Sequence, residues 1–205
     1  MTATTLVLLR HATTRTTGKR LGGRKPGFHL DERGRGQAEA AARRLASLPV
    51  AAVYTSPLER TRETAAPVAR GHGLRPRVER GLLEVDYGDW TDLPLAQLRR
   101  RTLWRTIQQA PSRVTFPGGE SIRAAQHRAV EATERLAAAH LGETIVLVSH
   151  ADVIKAVIAH HLGMGLDLFQ RLVISPASSS VLVLPDGGAP ALVTMNDTSD
   201  PAPRD

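Results

Sequence analysis

The chain is 205 residues long, carries a formal net charge of +7 and contains no cysteine. This length is enough for one domain with a substantial core, and the lack of cysteine excludes disulfides, thiolate metal sites and a cysteine nucleophile. Aromatic residues make up only 3% of the chain, which is too few for the base stacking typical of proteins that bind single strands. We therefore expect no nucleic-acid partner, and a solvated basic surface that steers a small anionic substrate.

The opening segment, MTATTLVLLRHATT, has no basic region before its short apolar run. It lacks the pattern of a signal peptide and that of a membrane span. We expect a cytoplasmic protein with no membrane partner.

Apolar runs typical of buried strands alternate with segments of helical periodicity. In chain order the pattern predicts strand 4–9, helix 32–47, strand 51–55, helix 57–70, strand 75–79, helices 93–108 and 119–141, strand 144–149, helix 151–162, and strands 180–184 and 191–195. Ser56 is predicted to cap helix 57–70, with Pro57 in its first turn. The fold class predicted is α/β, a three-layer α/β/α sandwich around a mostly parallel sheet. We expect a single domain over residues 1–198 and a disordered tail over 199–205.

Basic side chains follow three of the predicted strands, at the point where each strand ends. Arg10 and His11 follow the first, Arg60 comes soon after the second, and His150 follows the strand over 144–149. Ligands of such sheets bind beyond the carboxyl ends of the strands, so we expect these side chains to meet there. Taken singly, each has a simpler interpretation as a surface or capping residue, as Arg62 does.

This combination predicts a pocket for a phosphate group. Arginine forks match phosphate oxygens, and a neutral imidazole can attack phosphorus to give a phosphohistidine that water hydrolyses. The leaving oxygen needs a proton donor, for which a carboxyl group with a raised pKa is suited. Glu84, between apolar neighbours, is favoured, and Asp86 and Asp89 stay open as alternatives.

Five segments in this order resemble motifs of the histidine phosphatase superfamily, the phosphoglycerate mutase-like family. The resemblance spans residues 6–196 and is carried by LRHATT at 9–14, SPLERT at 56–61, LEVDYGDW at 83–90, PGGES at 117–121 and VSHA at 148–151.

The resemblance implies a phosphoglycerate mutase-like fold and a role for each predicted residue. It implies that His11 is the phosphorylated nucleophile, Glu84 the proton donor and His150 the second histidine of the pocket. It also implies that Arg10 and Arg60 clamp the phosphate. The other residues expected to bind substrate are Thr14, Thr17, Gly22 and Gly23.

The chain departs from the family pattern at four places. Ala12 and Ala151 replace glycines that usually follow the two histidines, Thr17 replaces an asparagine, and Thr91-Asp92 replaces Glu-Gly after the tryptophan. None of these changes removes a catalytic group.

The family contains phosphatases and mutases, and the spacing favours a phosphatase. Mutases resemble longer chains with an added segment between the acid motif and the second histidine, whereas Glu84 and His150 are separated by only 66 positions. A cofactor-dependent phosphomutase stays the alternative, with the Arg99–Arg101 run as its candidate contact to an acidic substrate. A binding module without turnover is a remote alternative. We expect no cofactor and no metal, because neither histidine has a carboxylate at ligand spacing. A homodimer is expected only by analogy with the family.

Overall fold

A six-stranded sheet forms the centre of the molecule, and the computed structural model describes residues 2–199. The strands are β1 (Ala3–Arg10), β2 (Val50–Thr55), β3 (Arg77–Val78), β4 (Thr144–Ser149), β5 (Ser179–Pro185) and β6 (Ala191–Asp197). Their order in the sheet is β3-β2-β4-β1-β5-β6. The first four are parallel, and β5 and β6 form an antiparallel hairpin at one edge. The predicted mostly parallel sheet is confirmed.

The apolar run of β1 is buried on both faces of the sheet. Leu6 and Leu8 pack into one core cluster and Val7 and Leu9 into another, because successive side chains of a strand point to opposite faces. Strands covered on both faces are typical of sheets between two layers of helices.

Helices supply these two layers. They are α1 (Glu32–Leu45), α2 (Glu59–Gly71), α3 (Leu95–Leu98), α4 (Thr102–Gln109), α5 (Ile122–Ala139) and α6 (Ala151–His161). The cores of α1 and α2 join the cluster of Val7, whereas α5 and α6 join that of Leu6. The predicted three-layer sandwich is therefore confirmed.

The prediction of a single helix over 93–108 is wrong. This segment is divided into α3 and α4, because Arg101 adopts an extended ψ of 143° at the start of α4. The break keeps Leu98 buried in the core while the Arg101 guanidinium packs 5.3 Å from the centre of the Trp90 ring.

The predicted Ser56 cap is also wrong. Helix α2 begins at Glu59, Leu58 takes the N-cap position without a side-chain hydrogen bond, and Pro57 precedes the helix. Side-chain caps occur instead at α1 and α5, where Asp31 accepts from the Gly34 N–H and Ser121 from the Ala124 N–H.

The disordered tail predicted over 199–205 lies, apart from Ser199, outside the described residues. The Ser199 hydroxyl donates a hydrogen bond to the Asp197 carboxylate at 2.7 Å. Within residues 2–199, no helix has the length and apolar character needed to cross a membrane.

Candidate active site

The two central strands bring both histidines of the predicted site together. β1 and β4 are parallel neighbours with Arg10 opposite Ser149, and the His11 N–H donates to the Ser149 carbonyl at 2.9 Å. His11 and His150 thus leave the sheet side by side, with ring centroids 5.2 Å apart and planes inclined at 61°. The strand ends therefore bring these two histidines together.

Backbone contacts set the tautomer of His11. Its Nδ1 lies 2.7 Å from the carbonyl oxygen of Ala12, and because a carbonyl only accepts, Nδ1 must carry the proton. The lone pair of a neutral ring is then on Nε2, to which no described residue donates. Burial, followed by the charges of Arg60 and Arg10, holds the pKa of His11 well below its usual range. His11 is therefore neutral near pH 7, the form a nucleophile needs.

His150 is fully buried behind His11 and is held at both ring nitrogens. The Arg60 guanidinium lies 3.3 Å from Nδ1, and the Ser56 hydroxyl lies 3.0 Å from Nε2. Arginine only donates, so Nδ1 accepts and the proton resides on Nε2, which donates to Ser56. Burial and then the nearby Arg60 lower the pKa of His150 well below its usual value.

Two arginines are anchored so that part of each guanidinium stays unpaired inside the protein. Arg10 donates to the Ile174 carbonyl at 2.6 Å, and Arg60, the second residue of α2, donates to the Gly23 carbonyl at 2.8 Å. Arg10 Nε and Arg60 Nη1 are buried without a hydrogen-bond partner among the described residues. Unpaired buried donors are costly, and an oxyanion ligand would satisfy them.

Glu84 lies close to His150. Its side chain is 12% exposed, with Oε2 3.7 Å from His150 Nδ1 and Oε1 accepting from the Val85 N–H at 3.0 Å. Burial raises the pKa of Glu84 to about 7, and Asp152 adds to the increase, against the opposing charges of Arg60 and Arg10. A carboxyl group with such a pKa is half protonated at neutral pH and suits a proton donor.

These residues surround a cavity of about 250 Å³. All of the predicted site residues line it except His150, which is fully buried. The predicted residues that line the cavity are Arg10, His11, Thr14, Thr17, Gly22, Gly23, Arg60 and Glu84. The cavity size matches a small substrate rather than a polymer.

The loop over 14–23 forms one wall of this cavity. The hydroxyl of Thr17 accepts from the Thr14 N–H at 2.9 Å, so it braces the loop as well as facing the cavity. Gly23 has a φ of +55°, and a Cβ there would lie 2.9 Å from the Thr91 hydroxyl. A side chain at Gly23 would therefore displace the carbonyl that anchors Arg60.

A larger cleft of about 920 Å³ lies on the other side of Thr14 and Thr17. None of the five predicted catalytic residues is among its lining residues. Arg99, Arg100 and Arg101 are exposed and line neither space, so the sequence-based role of this run in gripping an acidic substrate gains no support.

The sequence analysis missed a network that fixes the main chain of Glu84. Arg24 and Arg128 both donate to the Glu84 carbonyl, at 2.8 and 3.1 Å. Glu120 joins them, at 2.8 Å from Arg24 and 2.7 Å from Arg128. Glu120 belongs to the PGGES motif, and this motif is the sequence signal that could have revealed the network.

Two further side chains of the cavity, Tyr87 and Asp152, were also missed. The Tyr87 hydroxyl donates to Asp152 Oδ2 at 3.1 Å. Tyr87 lies within the LEVDYGDW motif and Asp152 directly follows VSHA, but their pairing across 65 positions leaves no local pattern.

A single group of potential metal ligands occurs within residues 2–199. Glu134, His160 and His161 place one ligand atom each within 4.8 Å of one another. They lie near the end of α6 opposite His150 and outside the cavity. The expectation of no metal in the active site stays a prediction.

A mostly parallel three-layer fold with two histidines and two arginines at the strand ends is typical of the histidine phosphatase superfamily. A family model described as histidine phosphatase superfamily (branch 1) matches residues 6–198. The chain belongs to this superfamily.

Individual relatives agree with the family. The chain is 36% identical over 200 residues to a bifunctional protein of Mycobacterium tuberculosis, covering 96% of this chain and 55% of that protein. It is 31% identical over 181 residues to phosphoserine phosphatase 1 of Hydrogenobacter thermophilus, covering 86% and 85%. The solved structure of mycobacterial glucosyl-3-phosphoglycerate phosphatase superposes with a TM-score of 0.86 at 29% identity, covering 95% of this chain and 99% of that one. The chain thus spans about half the length of the bifunctional relative.

Proposed function

We propose that this chain hydrolyses small phosphomonoesters through a phosphohistidine formed on His11. The observation that carries the proposal is the hydrogen bond from His11 Nδ1 to the Ala12 carbonyl, which leaves the lone pair on Nε2. No residue of 2–199 donates to Nε2, and two buried, partly unpaired guanidinium groups lie in the same site. Its superfamily membership and its phosphatase relatives support the same reaction class.

The first step transfers the phosphoryl group to the protein. The lone pair of His11 Nε2 forms the P–N bond while the P–O bond to the alcohol breaks, and its electron pair stays on the leaving oxygen. Protonated Glu84 gives its proton to that oxygen. Arg10 and Arg60 stabilise the charge on the transferring group, as preorganised donors do in phosphoryl transfer, and His150 supports Arg60 by accepting a hydrogen bond from its guanidinium at 3.3 Å.

The second step returns the protein to its starting state. Ionised Glu84 accepts a proton from water as the water oxygen attacks phosphorus and the P–N bond breaks. The products are inorganic phosphate and neutral His11 with a protonated Glu84.

The nucleophile is tested by hydrolysis of p-nitrophenyl phosphate in the presence of a chelator. We expect the parent to turn over and to trap an acid-labile phosphoryl group, and His11→Asn to lose about 10³-fold or more in kcat and all labelling. His127→Asn is the matched control, because His127 is an exposed residue of α5. Labelling that persists in His11→Asn, or activity that disappears with the chelator, would contradict the mechanism.

The proton donor is tested by varying the leaving group. Glu84→Gln is expected to slow hydrolysis most for alkyl phosphates, whose alkoxide needs the proton, and least for p-nitrophenyl phosphate. An equal loss for all leaving groups would remove Glu84 from this role.

The physiological substrate is sought among phosphorylated metabolites with phosphate release as the readout. Phosphoserine and glucosyl-3-phosphoglycerate are natural first candidates, since relatives carry these names. A phosphoglycerate isomerisation assay in the same screen tests the mutase alternative. The homodimer and the cytoplasmic location stay predictions, to be tested by light scattering and by fractionation of cells.

A further inference from the structure

The active-site cavity contains a second carboxylate that the proposed function does not use. Asp152 is the second residue of α6, two positions after His150, and it lines the cavity together with Glu84. Its side chain is 24% exposed. A carboxylate near a site for an anionic phosphate repels the substrate, so an acidic residue here calls for a compensating role.

Asp152 is held in place from two sides. The Tyr87 hydroxyl donates to Oδ2 at 3.1 Å, and Lys155 Nζ lies 3.5 Å from Oδ1. Lys155 is itself anchored by Gln170 at 3.0 Å and lies 5.7 Å from the centre of the Phe169 ring.

Tyr87 is buried, and its hydroxyl is a hydrogen-bond donor. Its ring packs edge to face against Phe116 with centroids 4.9 Å apart. Burial, then the carboxylates of Asp152 and Glu84, raise the pKa of Tyr87 well above its usual value, so its hydroxyl keeps its proton. This hydrogen bond holds the Asp152 carboxylate in the wall of the cavity that Glu84 also lines.

We propose that Asp152, oriented by Tyr87, is a positioning residue that keeps Glu84 protonated until the leaving oxygen arrives. The inference rests on the proposed function of Glu84 as proton donor. It deepens that function, because it says how a carboxyl group beside two arginines retains its proton.

The charges that act on Glu84 come from several elements. Arg10 at the end of β1 and Arg60 on α2 favour the ionised form. His150 faces Glu84 at 3.7 Å and is neutral, because its pKa is lowered.

The remaining groups leave Asp152 as the anionic neighbour that opposes the arginines. Tyr87 is neutral, and Arg24 and Arg128 bind the main-chain carbonyl of Glu84 rather than its carboxyl group. Asp152 and burial both raise the pKa of Glu84, whereas Arg60 and Arg10 lower it. Without the charge of Asp152, Glu84 would ionise at lower pH and lose the proton that the leaving oxygen needs.

The test is the pH dependence of kcat/KM for an alkyl phosphate in Asp152→Asn. Asparagine keeps an oxygen acceptor for Tyr87 and removes the negative charge, while its amide nitrogen replaces the oxygen that faces Lys155. We expect the alkaline limb to move to lower pH by about one unit or more, the size of shift produced by one nearby charge. The fall in rate at pH 8 should be about tenfold or more for the alkyl phosphate and smaller for p-nitrophenyl phosphate.

Asp89→Asn is the matched control, because Asp89 is exposed, lies in the same segment as Glu84 and does not line the cavity. Its pH profile should equal that of the parent. Circular dichroism of both variants checks the fold, and Asp152→Ser provides a second charge removal if the asparagine variant is unfolded. A merely structural role of Asp152 would lower kcat/KM equally at all pH values.

A direct measurement separates this inference from the proposed function. The ¹³C chemical shift of the Glu84 carboxyl group, followed against pH in parent and Asp152→Asn, reports its ionisation without turnover. If the titration of Glu84 and the alkaline limb both stay at the same pH in Asp152→Asn, while the parent hydrolyses phosphomonoesters, only the inference is overturned. A parent that neither hydrolyses phosphomonoesters nor forms a phosphohistidine would overturn the proposed function instead.

Discussion

The carboxyl group of Glu84 makes folding stability depend on pH in a direction that one substitution can measure. Its pKa increases from 4.5 to about 7, mainly through burial, and one pKa unit corresponds to about 1.4 kcal/mol. The folded protein therefore carries a cost of about 3 kcal/mol when this group is ionised.

The sign follows from proton binding. Between pH 4.5 and about 7 the folded state binds more protons at Glu84 than the unfolded state, so this group makes stability fall as pH rises. Glu84→Gln removes the cost while keeping an oxygen acceptor for the Val85 N–H. We expect the variant to match the parent near pH 4.5 and to be more stable by about 3 kcal/mol near pH 8.

The assay is urea unfolding of both proteins at the two pH values, followed by circular dichroism. Glu120→Gln is the control with the opposite sign. Burial alone would raise the pKa of Glu120, but its bonds to Arg128, the Asp86 N–H and Arg24 lower it. Glu120→Gln should therefore destabilise the protein by about 1.5–3 kcal/mol at pH 8, with a smaller effect below pH 4.5. A Glu84→Gln effect that is equal at both pH values, or destabilising at pH 8, would refute the reasoning.

Two further predictions concern packing and phosphate binding. Gly34→Ala should lower the free energy of unfolding by about 3 kcal/mol, because the new Cβ would lie 2.0 Å from the Thr13 carbonyl oxygen. Gly36→Ala on the same helix meets nothing within 4 Å and should raise it by about 0.5–1 kcal/mol, so equal effects in urea unfolding would contradict the close approach. Inorganic phosphate at about a hundred times its Kd should stabilise the parent and Arg62→Gln by about 2.7 kcal/mol in thermal unfolding. Arg60→Gln should be stabilised far less. Equal stabilisation of the two variants would mean that phosphate binds elsewhere.

The sheet was predictable because its strands are continuous apolar runs. Strands such as β1 and β4 can be recognised without knowing their neighbours, since burial on both faces requires apolar residues at every position. The division between α3 and α4 was not predictable in this way. It depends on how Leu98 enters the core cluster of Leu6 and how Arg101 packs on the Trp90 ring.

The residues of the candidate site also differ in whether the sequence could predict their position. Arg10, His11 and His150 were expected at one place because the carboxyl ends of parallel strands coincide. Glu84 lies outside regular structure, and sequence reasoning without the family left Asp86 and Asp89 as alternatives. Its segment is fixed by long-range packing, since a Cβ at Gly88 would lie 2.1 Å from the Pro117 carbonyl oxygen.

Ser56 shows how one residue type supports two interpretations that only the structure separates. A serine before a proline and a helical period matches an N-cap, yet its hydroxyl lies 3.0 Å from His150 Nε2 instead. Ser56→Ala should therefore leave the helical signal of α2 unchanged and lower kcat about two- to tenfold, the loss of one hydrogen bond of about 0.5–1.5 kcal/mol.

Ser121→Ala is the matched comparison, because Ser121 does cap α5. It should cost about 1 kcal/mol of stability and leave kcat unchanged. The pair is read from urea unfolding and steady-state kinetics with p-nitrophenyl phosphate. If Ser56→Ala instead loses stability as Ser121→Ala does and keeps its kcat, then the hydroxyl of Ser56 serves the helix rather than the ring of His150.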